Sequence, residues 1–410
     1  SVRLLDRPQS RDQNAAFTEE LLGPEGLGLV LPYCSVLDSA SIEKAMTALV
    51  TVFHADGAEM RLIRTTCARE VELTASVGTL FRRNSCASAQ MKSMTRRLGK
   101  PYLNFMLRPF VVEMISSGKS YEMDKNRFDK KDKKENVKNN TKNLLGGCER
   151  LLDRIIGSLP SIPVVFRHIC AMLVAITRDK FPGSEKIVVS GFFFLRYVCP
   201  AVVSPEGFGI KPQQPLTPKD RRGLVLVSKV IQNLANGVEF GAKEEFMGPL
   251  NPFIRQNTGR YADFIRELYN TDGLKEDPIP AAMPAQDEVD ECTAYVKQSM
   301  QALLPKMRPL LEETGGGEYA ARMAALLEDE PGDAGEANAH ASDAPPLPMR
   351  DAACPDGTPN GMRRSLPLSI SVDASLISPP PSTLEVPQRS GSHIGNRSPR
   401  SGRRPGGAGA

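Results

Sequence analysis

The stretch that decides the fold is PYLNFMLRPFVVEM, residues 101 to 114. Residues three and four apart lie one above the other on a helix, because an α-helix has 3.6 residues per turn. The large apolar side chains of this stretch recur at that spacing, at Leu103, Met106, Leu107, Phe110, Val111 and Met114. The stretch therefore predicts a helix with one buried face and a core for that face to pack against.

The same spacing continues from residue 41 to residue 327, whereas the alternation typical of strands is nearly absent. Proline and glycine interrupt it at intervals, and they favour helix ends because proline lacks the backbone donor. These interruptions stand at residues 99–101, 160–163, 181–183 and 200. The sequence thus predicts an all-α, elongated multi-helix domain over residues 41–327.

Three segments depart from this pattern. Residues 1–40 form an N-terminal extension whose packing the pattern does not place, and residues 328–410 are rich in Gly, Ala, Pro and Ser, which predicts a disordered low-complexity tail. The lysine-rich stretch Asp124 to Lys142 predicts a solvated loop between helices. Because the chain starts at Ser1 and not at Met, we expect it to be a piece of a longer protein.

Composition narrows the functional classes. A net charge of +4 over 410 residues is too small for a dedicated nucleic-acid binder. Eight cysteines without a C-x-x-C pair and four histidines provide no metal-ligand cluster and indicate a reducing, cytoplasmic compartment. The apolar run Ile187 to Leu195 is shorter than the ~20 residues that span a bilayer, which predicts no transmembrane helix.

One motif imitates a nucleotide site. Gly118-Lys119-Ser120 resembles the end of a phosphate-binding loop, but the glycine that should precede it by five positions is Glu113. A carboxylate there would repel phosphate. The motif is therefore interpreted as a helix end at Gly118.

Four segments carry a different signal. They are TLFRRNS (79–85), LGKPYL (98–103), FLRYVCPAVVSP (194–205) and KVIQNLAN (229–236), the last continuing to FGAKE (240–244). In order and spacing they resemble the signature blocks of Ras GTPase-activating proteins, over residues 42–269. The family usually has Asn where this chain has Cys199, and some of its members share the Cys.

The resemblance implies an activator and not an enzyme in its own right. Such a domain binds a Ras-type small GTPase in its GTP-bound state, and GTP and Mg²⁺ belong to that partner, so the chain needs no cofactor or metal of its own. The implied location is the cytoplasm, with recruitment to the inner face of the plasma membrane.

Arg82 stands where the family carries its arginine finger. Phosphoryl transfer spreads negative charge over the transferring group, and a guanidinium can neutralise it through several donors while staying protonated. Thr79, Leu80 and Phe81 precede it and are expected to contact the partner, with the two apolar residues also anchoring the loop. The adjacent Arg83 is the alternative finger.

Arg196 follows an apolar run, so its stem is expected to be buried and its donors need acceptors. The resemblance implies that Arg196 bonds main-chain carbonyls of the loop that carries Arg82. Its predicted role is to hold this finger loop in place before the partner arrives.

A polar face is predicted beside the finger. Lys229, Gln232, Asn236 and Lys243 share one side of a helix if that helix continues through the glycines at 237 and 241. The resemblance implies that this face borders the groove for the GTPase and that Leu195 forms its apolar floor.

Two alternatives stay open from the sequence. A scaffold of the same fold could bind a small GTPase without stimulating hydrolysis, although that class has another residue at the position of Arg82. The lysine-rich loop at 124–142 and the basic tail could also dock on an anionic membrane surface, alone or together with activation.

Overall fold

A computed structural model describes residues 9–23, 27–128, 136–212, 214–274 and 281–327. These residues form helices and connecting turns, and no strand occurs among them, which confirms the all-α class. The tail predicted to be disordered, 328–410, lies outside the described residues.

The helices are, in chain order, α1 (Gln9–Leu22), α2 (Leu27–Val36), α3 (Ile42–Ala55), α4 (Glu59–Leu73), α5 (Cys86–Leu98), α6 (Lys100–Ser116), α7 (Val137–Gly157), α8 (Val164–Thr177), α9 (Glu185–Phe193), α10 (Cys199–Val203), α11 (Pro218–Asn236), α12 (Asn251–Leu268) and α13 (Gln286–Leu327). Helix α13 is broken at Gly316, where φ is +82°. Short 3₁₀ turns cover Val77–Thr79, Lys125–Arg127, Leu159–Ser161, Pro205–Phe208 and Ala242–Leu250.

Helix α6 has the buried face that its sequence predicts. All six apolar side chains of the periodic pattern between residues 103 and 114 are at most 4% exposed. The helix ends at Ser116, and Gly118 follows in the left-handed conformation with φ of +61°, which a glycine adopts without strain. Gly118 thus ends a helix, as interpreted from the sequence.

The core centres on aromatic side chains around α9. Phe193, Phe194 and Tyr197 are fully buried, and the ring of Tyr197 stacks at 6.0 Å on Tyr102 of α6 and meets Phe166 of α8 edge-on at 4.9 Å. Such offset and edge-to-face pairs stabilise a core beyond the area that they bury. The segment that bears Arg196 is therefore rigidly seated.

Helices α9 and α10 are joined by a π-helical turn, Phe194–Val198, in which the N–H of Cys199 bonds to the carbonyl of Phe194, five residues earlier. The continuous helix Glu185–Val203 is therefore 19 residues long and, with a mean hydropathy of 1.6, is long and apolar enough to cross a membrane. The helix is thus longer than the apolar run Ile187 to Leu195, and the expectation of no transmembrane helix stays a prediction. Because 61% of the segment is buried inside the domain, it is the central helix of this core.

The N-terminal helices are part of the folded body. Helices α1 and α2 both pack on α13, and the side chains of Phe17, Leu21 and Leu29 are fully buried. The hydroxyl of Tyr33 donates to Ser299 Oγ at 2.7 Å. The structure thus places the extension 1–40 from Gln9 onward, although the sequence pattern did not.

The predicted loop Asp124 to Lys142 is shorter than expected. Helix α7 begins at Val137, because Asn136 acts as its N-cap and accepts the Asn139 N–H at 2.8 Å. The prediction of a loop is therefore wrong for residues 137–142. Residues 129–135 lie outside the described part of the chain.

Gly99 lies between α5 and α6, and a substitution there tests the packing of this core. Its carbonyl accepts the hydroxyl of Tyr197 at 2.6 Å, and a Cβ added at Gly99 would overlap the Tyr197 ring. We expect Gly99→Ala to lower the free energy of unfolding by about 1–3 kcal/mol, measured by urea denaturation, because the enclosed ring cannot move aside.

The matched control is Gly157→Ala at the end of α7, where an added Cβ meets no atom within 4 Å. That variant should be unchanged or more stable by up to about 1 kcal/mol. Equal stability of the two variants would show that the contact between Gly99 and Tyr197 is not tight.

Candidate functional site

The loop that carries Arg82 leaves the turn Val77–Thr79 and enters α5. The N–H of Arg82 bonds to the Thr79 carbonyl at 3.2 Å, which closes a tight turn. Within that turn Phe81 has φ of +56°, a left-handed conformation that among the described residues is otherwise adopted by glycines alone. A non-glycine residue there costs about 1–3 kcal/mol, so the surroundings must hold it in place.

Glu70, on α4, holds the loop at both ends. Its Oε1 accepts the N–H of Phe81 at 2.7 Å, and its Oε2 accepts the hydroxyl of Ser85. Ser85 is also the N-cap of α5, where its hydroxyl accepts the N–H of Ser88 at 3.2 Å. One carboxylate therefore fixes the strained backbone before Arg82 and the start of the helix after it.

Arg82 itself is half-buried between these two anchors. Burial lowers the pKa of its guanidinium, and within the described ranges the side chain has no hydrogen bond or ion pair. The neighbouring Arg83 is exposed. The loop thus presents a partly desolvated positive charge that nothing in the described structure neutralises.

The apolar residues before Arg82 face the core. The side chains of Leu80 and Phe81 are 5% and 1% exposed, so they anchor the loop as expected. The core covers both side chains, and their expected contact with the partner stays a prediction. Thr79 is exposed, with its hydroxyl bonded to the Ser76 carbonyl at 2.9 Å.

Arg196 lies in the π-helical turn, and its Nη1 donates to the carbonyl of Gly191 at 2.9 Å. This corrects the implied hydrogen bonds to finger-loop carbonyls, because the acceptor that Arg196 finds is in its own helix. Desolvation lowers the pKa of Arg196 to about 10, the nearby charge of Glu70 opposes that shift, and the charge of Arg82 adds to it. Arg196 therefore lies close enough to Glu70 and Arg82 to interact electrostatically with both.

The predicted polar face divides at Gly237. Helix α11 ends at Asn236, and Gly237 has φ of +68°, while the N–H of Val238 bonds back to the Asn233 carbonyl at 2.9 Å. This is a helix stop that glycine makes without strain, so the condition for placing Lys243 on the same helix is not met. Lys243 lies instead on the next element, the turn Ala242–Leu250.

The two elements still meet, because Lys229 of α11 forms an ion pair with Glu244 beside Lys243. Gln232 and Leu195 are partly buried, whereas Asn236 and Lys243 are exposed. Burial, followed by the charge of Arg222, lowers the pKa of Lys229. The structure thus brings these polar residues to one region, but Lys229 is already paired there.

Glu70 is the functional candidate that sequence reasoning missed. A signal for it exists, since Ile63, Cys67 and Glu70 follow one another at i, i+4 and i+7, on the buried side of α4. A carboxylate at that register needs partners inside the fold. Spacing alone does not say that the partners are Phe81 and Ser85.

Fold and loop together define an all-helical domain that presents an arginine from a loop anchored on a partly buried carboxylate. Residues 62–236 match the family described as GTPase-activator protein for Ras-like GTPase, RasGAP. The match confirms, for this part of the chain, the resemblance seen in its signature blocks.

Relatives agree with this assignment. The chain is 34% identical over 230 residues to the probable Ras GTPase-activating-like protein ngap of Dictyostelium discoideum, covering 55% of this chain and 26% of the relative. It is 34% identical over 231 residues to human Ras GTPase-activating protein 1, covering 56% and 22%. For human RasGAP-activating-like protein 1 the values are 32% over 253 residues, covering 57% and 31%. The chain thus spans between about a fifth and a third of the length of these relatives.

Replacing Glu70 tests its role as the anchor. In Glu70→Gln the amide oxygen can still accept the Phe81 N–H, but the NH₂ group cannot accept from Ser85. We expect a loss of about 1–2 kcal/mol in the free energy of unfolding. Hydrogen exchange of residues 81–85 should also become faster than in the wild type.

Glu72→Gln is the control for this comparison. Glu72 lies on the same helix, is exposed, and pairs at the surface with Arg69 at 3.0 Å, so its loss should cost less than about 0.5 kcal/mol. If Glu70→Gln behaves like Glu72→Gln in both measurements, Glu70 does not anchor the loop.

Proposed function

We propose that this domain accelerates GTP hydrolysis by a Ras-type small GTPase, and that Arg82 enters the partner's active site as the catalytic guanidinium. The observation that carries the proposal is the unneutralised, half-buried charge of Arg82 on a loop fixed at both ends by Glu70. The family match supports it, as do the relatives' names, which describe Ras GTPase-activating proteins.

The chemistry explains why an arginine serves this purpose. During hydrolysis negative charge develops on the transferred phosphoryl group and the leaving oxygen, and a small GTPase alone compensates it poorly. For Ras and its activators, the class in which arginine fingers were defined, the gain is about 10³–10⁵ in rate. That corresponds to roughly 4–7 kcal/mol of barrier. GTP and Mg²⁺ are the partner's ligands in this scheme.

The loop geometry contributes by being set before the partner binds. The left-handed conformation of Phe81 and the cap at Ser85 define where the chain carries Arg82, so little backbone entropy is lost on complex formation. The desolvation of Arg82 also favours an incoming anion, because pairing removes the free energy cost of the lone charge. Activation therefore relies on a preformed loop.

The two polar residues that remain exposed have a secondary role in the proposal. Asn236 and Lys243 lie open to solvent near the end of α11 and in the following turn, where they would meet the partner's surface. Lys243 would speed the encounter with an acidic surface and make the association rate depend on salt. Lys229 contributes less charge, because Glu244 neutralises it.

Removing the finger is the direct test. We expect Arg82→Ala to reduce stimulated single-turnover GTP hydrolysis about a thousandfold or more, while binding to the GTP-bound partner falls much less. A panel of Ras-type GTPases should be used, with hydrolysis and affinity measured separately for each. Binding without any stimulation by the wild-type domain would instead identify a scaffold.

The matched control is Arg83→Ala, which removes the exposed neighbouring charge. That variant should keep nearly all of the stimulation. If the loss follows Arg83 and not Arg82, the finger is Arg83. If neither variant loses stimulation, the domain does not act through an arginine of this loop.

Arg196→Ala should lose less than Arg82→Ala, on the order of a hundredfold, because the finger remains but the charge that balances Glu70 is gone. The loss should fall on the hydrolysis rate in the saturated complex and not on affinity. Arg196→Lys should recover part of it, since a positive charge near Glu70 returns. An equal loss in Arg82→Ala and Arg196→Ala, without recovery by lysine, would assign Arg196 a direct role in the chemistry.

A further inference from the structure

Two cysteines from distant parts of the chain meet beside the finger loop. Cys34 is near the end of α2, and Cys86 is the first residue of α5, directly after the Ser85 cap. Cys86 Sγ lies 3.7 Å from the Cys34 carbonyl oxygen, and the two side chains are close enough for each to shift the pKa of the other. The two cysteines are therefore neighbours in the fold, and the proposed function does not use them.

Their accessibility separates this pair from the other described cysteines. Cys34 and Cys86 are both partly exposed. Cys67, Cys148, Cys170, Cys199 and Cys292 are buried, and burial raises the pKa of each of these thiols. An oxidant in solution can therefore reach the pair more readily than it reaches the remaining described thiols.

The two partners differ in reactivity. The neighbouring Cys34 side chain lowers the pKa of the Cys86 thiol, against the opposing effects of desolvation and of the nearby Glu70 charge. The Cys86 side chain, followed by burial, raises the pKa of Cys34. Cys86 also stands at the N-terminus of α5, where the partial positive charge of the helix favours a thiolate. Cys86 is therefore the nucleophile and Cys34 the resolving thiol.

We propose that Cys34 and Cys86 form a reversible disulfide when the protein meets a hydroperoxide such as hydrogen peroxide. The Cys86 thiolate attacks one peroxide oxygen, the O–O bond breaks, and hydroxide leaves and takes up a proton to become water. Cys34 then attacks the sulfur of the Cys86 sulfenic acid, the S–O bond breaks, and a second water leaves as Cys34 gives up its proton. Two thiols are oxidised to one disulfide, and one peroxide is reduced to two waters.

The position of the bond gives it structural consequences. The disulfide would link α2 to the first residue of α5. On the loop that carries Arg82, the side-chain amide of Asn84 donates a hydrogen bond to the Ser39 carbonyl at 3.4 Å. Closing the long loop between residues 34 and 86 also constrains the unfolded chain. The linkage does not depend on the proposed function, whereas any effect on GTP hydrolysis would.

The experiment treats the full chain with hydrogen peroxide and maps its peptides under non-reducing conditions. We expect a linked peptide pair joining Cys34 and Cys86, an intact mass lower by two hydrogens, and full recovery with dithiothreitol. The thermal midpoint of the oxidised protein should rise and return on reduction. A glutathione adduct or a sulfinic acid on Cys86 without any linked pair would overturn the proposal.

Three variants make the test specific. Cys34→Ser and Cys86→Ser should both abolish the linkage, and Cys292→Ser, at a buried cysteine on α13, should leave it intact. In Cys34→Ser a sulfenic acid should accumulate on Cys86, where dimedone traps it. Its accumulation on Cys34 in Cys86→Ser instead would reverse the assigned roles and reject the mechanism. Circular dichroism before treatment confirms that each variant is folded, and the wild-type peptide map stands independently of the variants.

Discussion

The finger loop depends on the placement of one carboxylate inside a helical domain. Glu70 accepts the N–H of Phe81 with one oxygen and the hydroxyl of Ser85 with the other. An anion in this position is stable only when donors and positive charge surround it. The backbone of the loop, the N-terminus of α5 and Arg196 supply them, so the geometry of the loop and the stability of the anion support each other.

This arrangement leaves Arg82 as the charge without a counterpart. Glu70 accepts hydrogen bonds from the loop. The charges of Glu70 and Arg82 both influence the pKa of Arg196, whereas Arg82 makes no hydrogen bond or ion pair within the described residues. The domain thus stores a local electrostatic imbalance that an anionic ligand can relieve. Such an imbalance is tolerated because the aromatic core beneath the π-helical turn supplies stability elsewhere.

The spacing of apolar residues predicted the structural features that depend on a single face of a single helix. The helical class and the buried side of α6 follow directly from the spacing of apolar residues. The end of α11 at Gly237 was left open, because the polar spacing continued beyond the glycine. The start of α7 was missed because a single cap, Asn136, outweighed the charged composition around it.

Only those site residues that lie within continuous sequence motifs could be predicted. Arg82 and Arg196 lie within contiguous signature blocks, so they could be named from the sequence. The hydrogen-bond partners of Glu70 lie 11 and 15 residues later in the chain. The turn that brings them to Glu70 requires a left-handed conformation at Phe81, which phenylalanine rarely adopts. The packing of α2 on α13 depends on tertiary contacts between opposite ends of the described chain, which local patterns do not encode.

Because of the π-helical turn at Phe194–Val198, the structure depends on the number of residues in this segment. A π-helical turn holds about one residue more than an α-helical turn, so the residues after it are rotated by about 100° relative to an uninterrupted α-helix. Shortening this segment by a single residue would restore regular α geometry. It would also rotate Arg196 or the aromatic side chains away from their present neighbours. Length in this block is therefore as constrained as composition, and substitutions should be tolerated there more readily than insertions or deletions.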